Sequence, residues 1–64
     1  MTYDIIDATG RNKTVIANAD SLADAIAFAR SIFTIVDLEH DPLNQHCVDF
    51  YTSTGRVMSI EPRA

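Results

Sequence analysis

Sixty-four residues, 47% of them hydrophobic, make a single domain (1–64) that is too apolar to be disordered and small for a self-sufficient core. Five basic residues against nine acidic ones leave a net charge of −4, which argues against general nucleic-acid binding and suits a basic protein partner or simple solubility. The single cysteine, Cys47, excludes an internal disulfide, and no repeated Cys/His spacing suggests a structural zinc.

The chain opens with Tyr3, Ile5 and Ile6 in a short β-prone run, followed by Thr9-Gly10-Arg11. Lys13–Ala17, with Thr14, Val15 and Ile16, reads as the returning strand, so residues 3–17 form a first hairpin. Gly10 would supply the positive φ of a tight turn. With a two-residue loop, Ile6 faces Val15 and Ile5 faces Ile16.

Ser21-Leu22-Ala23-Asp24 has the form of a capping box, with Asp in place of the usual Glu. From there Leu22, Ala25, Ile26, Ala29, Phe33 and Val36 keep the helical period, which predicts a helix over 21–38. The segment Ile32–Val36 is β-branched enough for a strand, but no turn residue separates it from Arg30, and continued helix is the reading adopted. Phe28, Ile32 and Ile35 then widen the apolar arc beyond the stripe that one sheet face needs.

Residues 39–45 read as the main loop, directed by Asp41-Pro42. A second hairpin follows over 46–61, with strands either side of a second Thr-Gly-Arg at 54–56 and Pro62 as its stop. The expected architecture is α+β, ββαββ: two hairpins forming a four-stranded, mainly antiparallel sheet packed on one helix. A right-handed crossover between the hairpins would put the two Thr-Gly-Arg tips at opposite ends of the sheet.

Val48, Phe50 and Val57 are expected on one sheet face, and Tyr51, Met58 and Ile60 on the other. A sheet covered by one helix should alternate apolar inward and polar outward. The surplus makes Phe28, Ile32, Ile35, Asp49, Tyr51 and Met58 the candidate partner-binding residues, on the helix flank and the helix-free face. A β-bulge or longer turn is the competing explanation, since it would return some of them to the core.

Glu39, His40, Asp41, His46 and Cys47 are the one grouping of metal-ligand types, but neighbouring strand residues such as His46 and Cys47 point to opposite faces. An ordinary polar loop is the stronger reading, and neither metal nor cofactor is expected. Cys47 beside a histidine lacks a nearby oxyanion hole or orienting carboxylate. Asp4, Asp7 and Asp49 could approach as a general-acid pair, although a solvated acidic face explains them better. No phosphate loop is present, and an enzyme is the least favoured class.

The leading hairpin and the entry Ala17-Asn18-Ala19-Asp20-Ser21-Leu22 into a helix with Ala25 and Ala29 resemble small phage-encoded inhibitors of bacterial defence, including some anti-CRISPR proteins. They look equally like short bacterial ββαββ proteins. The first resemblance implies a non-enzymatic protein that blocks a larger complex by surface contact, at a basic nucleic-acid-binding surface of the host complex. The rival reading is a homodimer that binds a small ligand between subunits. Met1-Thr2-Tyr3-Asp4 lacks a signal-peptide pattern, no apolar run is long enough for a bilayer, and a lone thiol agrees with a cytoplasmic location.

Overall fold

The computed structural model describes residues 1–63. Strands β1 (Tyr3–Asp7) and β2 (Thr14–Ala19) precede helix α1 (Leu22–Ile32). Strands β3 (Ile35–Asp41), β4 (Asn44–Thr52) and β5 (Val57–Pro62) follow it. They form one sheet in the order β2-β1-β5-β4-β3, with every neighbouring pair antiparallel. The described residues are therefore α+β with one helix on one sheet, as the sequence predicts, but with five strands rather than four.

The added strand comes from the segment read as the end of the helix. Ser21 caps α1 as expected, its Oγ accepting from the Asp24 backbone N–H at 3.0 Å. The helix stops at Ile32, and Phe33 takes an extended conformation (φ −127°, ψ 149°) while its N–H still donates to the Ala29 carbonyl. Neither glycine nor proline makes this stop. Pairing of Ile35 and of Asp37–His40 with β4 gains more than continuing a helix in which the β-branched Ile35 and Val36 would be crowded, so tertiary pairing outweighs the helical period. Ser53 N–H donates to the Thr34 carbonyl at 2.9 Å and secures the junction.

The predicted loop over 39–45 shrinks accordingly to a turn at Pro42-Leu43. Pro42 follows Asp41, whose Oδ1 accepts from Leu43 N–H at 2.8 Å, an Asx arrangement suited to a tight reversal. Leu43 at this tip is 95% exposed.

Strand β3 also reverses the direction of everything after it. The two Thr-Gly-Arg turns consequently fall at the same end of the sheet, not at opposite ends. Ala8 N–H donates to the Val57 carbonyl at 2.9 Å. Thr9 Oγ1 donates to Asp7 Oδ1 at 2.6 Å and accepts from Val57 N–H at 3.0 Å. Arg56 Nη1 donates to Asp7 Oδ2 at 2.7 Å.

The turns share a tripeptide and differ in geometry. In the second, Ser53-Thr54-Gly55 bridges Thr52 and Arg56, and Gly55 adopts φ 84°, a left-handed position that disfavours other residues. Gly10 has no positive φ, because residues 8–13 form a longer connection than the expected two-residue loop. The first register follows suit: Ile6 pairs with Val15 as expected, but Ile5 pairs with Ala17, leaving Ile16 as a bulge. Val36 is the matching extra residue on the other edge strand, between the pairs Ile35–Thr52 and Asp37–Tyr51.

Directly opposed residues share a sheet face, so the pairs Ile5–Ile60, Val48–Ile60 and Phe50–Met58 build one apolar surface under α1. Tyr3 joins it, and Ala25 and Ala29 let the helix approach closely. Phe33 closes on Phe50 with ring centroids 6.3 Å apart, and Ile35 and Leu38 pack at the margin. Truncating Phe50, the largest fully buried side chain, to alanine would cost about 3–5 kcal/mol.

Candidate interaction face

The face of the sheet away from α1 has no second layer among the described residues. Its rows follow from the register. Val15, Ile6, Ser59, Asp49 and Glu39 lie side by side across all five strands. Val57, Tyr51 and Asp37 form the row on one side, and Asn18, Asp4 and Glu61 the row on the other.

Carboxylates dominate this face. The two ion pairs among the described residues use Asp7, held by Arg56, and Asp4, held by Arg63 Nη2 at 2.7 Å. Asp37, Glu39, Asp49 and Glu61 have no basic partner there. Glu61 Oε2 accepts from Ser59 Oγ at 3.0 Å, and Glu39 stands directly opposite Asp49. Like charges in opposed positions destabilise a ladder, so this arrangement works against the fold locally. Tyr51 and Val57, each 39% exposed, supply an apolar step beside the acids.

Apart from Arg63 at Asp4, the positive charge lies elsewhere. Arg11 and Lys13 sit in the first turn and Arg56 in the second, at one end of the sheet. Arg30 occupies the last helical turn, whose continuation at Thr34 bonds to Ser53 at that same end. The open face, with five carboxylates against the one Arg63 guanidinium, thus carries a charge equal to the chain's whole net charge of −4.

Cys47 registers this field. Burial is the largest influence raising its thiol pKa, followed by the charges of Glu61, Asp41 and Asp49. Asp7 shifts the other way: the Thr9 side-chain hydrogen bond, then the Thr9 backbone bond, hold its carboxyl below the ordinary value against the opposing effect of burial, with Arg56 adding a lesser lowering.

The candidate residues of the sequence reading divide. Asp49 and Tyr51 share the open face as expected. Phe28 and Ile32 lie on the exposed part of α1, with Ile32 50% exposed. Ile35 belongs to β3 rather than to the helix and packs partly against the core. Met58 is fully buried opposite Phe50, so it is a core residue and leaves the candidate set. Ile60 follows it inward, and Val57 takes the outward position. The loop Ser53-Thr54-Gly55 sets this register and reverses the expected phase of β5.

Asp37, Glu39 and Glu61 were missed as members of the face. Asp37 and Glu39 alternate with Leu38 at strand spacing, a signal visible only once 35–41 is read as a strand. The suggested grouping of Asp4, Asp7 and Asp49 does not form: β5 lies between β1 and β4, and Asp7 is engaged at the turn end. His46 Nδ1 lies 3.3 Å from the Tyr3 hydroxyl. No cluster of three or more His, Cys, Asp or Glu with metal-binding geometry occurs among the described residues, which also enclose no cavity. Among the described residues, no helix is long and apolar enough to cross a membrane.

Comparison with protein-family models, curated proteins and solved structures found no match.

Proposed function

We propose that this chain is a non-enzymatic interaction module whose open sheet face docks on a basic protein surface, acting as a cytoplasmic inhibitor that covers the nucleic-acid-binding region of a larger bacterial defence complex. The observation that carries this reading is the Glu39–Asp49 opposition, flanked by Asp37 and Glu61 without basic partners. A face that places like charges in register gives up local stability, and a cationic partner would restore it on binding. Tyr51 and Val57 give the same surface an apolar anchor, the kind of side chain that carries binding energy when a partner excludes water.

The test is affinity capture from a bacterium that expresses a nucleic-acid-guided defence complex, using wild type, Glu39→Lys/Asp49→Lys and Tyr51→Lys as baits. Wild type should retain a basic component of that complex in a salt-sensitive manner, and both variants should lose it while remaining folded. Equal retention by all three would mean that the open face is not the docking surface.

A further inference from the structure

We propose that two copies of this chain associate through their β2 edges, antiparallel about a two-fold axis between Ile16 and Ala17. This edge borders the open face through Val15 and Asn18 but uses none of its carboxylates, so the inference stands independently of the reading above. Strand β2 is a sheet edge with no charged residue between Thr14 and Ala19. Natural edge strands commonly carry inward or lateral charges that discourage pairing with another chain. Here Val15 and Ile16 are exposed instead, at 51% and 43%.

The charges that bound the strand have opposite signs. Lys13 immediately precedes β2 and Asp20 immediately follows it, both exposed. Laid antiparallel on a copy of itself, the segment brings Lys13 opposite the partner's Asp20 and Asp20 opposite the partner's Lys13. Ile16 then meets the partner's Ala17, and Val15 the partner's Asn18. An isologous contact must be self-complementary in this way.

The other edge gives the opposite result. Strand β3 carries Asp37, Glu39 and Asp41. The same operation about Glu39 sets it against its own copy and puts Asp37 against the partner's Asp41, which is repulsive at every charged position. In a chain of net charge −4, only the β2 edge accepts a second copy without juxtaposing acids. The bulge at Ile16 interrupts the backbone ladder there, so the end charges and the exposed β-branched side chains carry the contact. A perpendicular two-fold leaves both acidic faces on one side of the dimer.

Lys13 and Asp20 lie about 20 Å apart along one strand, too far to interact within a monomer at physiological salt. A charge-swap cycle therefore reads contact between copies alone. Sedimentation velocity from micromolar to submillimolar concentration should show a dimer for wild type. Lys13→Asp and Asp20→Lys should each weaken it about tenfold, and the double variant should recover most of the loss. Circular dichroism confirms that each variant keeps its fold. A wild-type monomer across this range overturns the proposal, and so does a dimer that neither single variant weakens or that the double variant fails to restore.

Discussion

Glu39 and Asp49 face each other across the β3–β4 ladder, two exposed carboxylates in opposed positions with no base between them. Opposed like charges oppose folding, so removing one should help. Glu39→Gln is expected to raise unfolding stability by about 0.2–1 kcal/mol in urea denaturation, with added salt narrowing the difference from wild type. Most surface changes elsewhere would fall within about ±0.5 kcal/mol without that salt dependence. A stabilising variant that also loses a partner would mark these residues as kept for binding.

The thiol of Cys47 offers a probe of the same field. Its alkylation rate should rise with pH to a midpoint above the ordinary thiol value of 9.0, because burial and the neighbouring carboxylates disfavour the thiolate. Glu61→Gln and Asp49→Asn should each lower the midpoint in part. Burial remains the larger cause, so neither should abolish the shift. A midpoint that neither substitution moves would mean that these acids do not converge on Cys47.

Asp7 predicts a response to acid. Its folded carboxyl titrates below the unfolded one, so its contribution to stability is complete above the unfolded pKa and disappears as pH falls through the folded pKa. An NMR titration should therefore place the Asp7 midpoint below 3.8, and Thr9→Val should move it upward by removing the hydroxyl donor. The same variant removes the acceptor of Val57 N–H, which should speed amide exchange at Val57.

The phase of β5 separates two residues, Tyr51 and Met58, that the sequence places on one sheet face. Met58→Lys places an unpaired ammonium in the core beside Phe50 and should unfold the protein or cost more than 3 kcal/mol, about the scale of a buried uncompensated charge. Tyr51→Lys lies on the open face and should change stability by about 1 kcal/mol or less. Thermal melts of the two variants decide the register. Comparable losses in both would contradict it.

Local chemistry was legible wherever the deciding residue lies close in sequence. Ser21 and Asp24 announce the cap that forms, and the stripe from Leu22 to Phe33 is the stripe that packs. Thr54-Gly55 marks a real turn, with Gly55 in the left-handed region. What failed was decided by distant partners. Ile35 and Val36 satisfy the helical period and strand propensity alike, and β4 selects the strand. Once β3 is missed, the crossover sends β4 and β5 the wrong way, and the two Thr-Gly-Arg turns separate instead of meeting through Asp7 and Arg56. Bulges at Ile16 and Val36 leave no mark in the sequence, since neither uses a glycine. The acidic face was only partly visible for the same reason: Asp49 was placed correctly, while Asp37 and Glu39 were assigned to a helix and a loop.

The proposed blocking of a defence complex by the acidic open face is tested most directly by plasmid transformation of a bacterium whose nucleic-acid-guided complex targets that plasmid. Expressing the wild-type chain should restore transformation, and Glu39→Lys/Asp49→Lys, expressed and folded to the same level, should not. Equal restoration by the wild type and the variant, or no restoration by the wild type, would contradict the proposed role of this face.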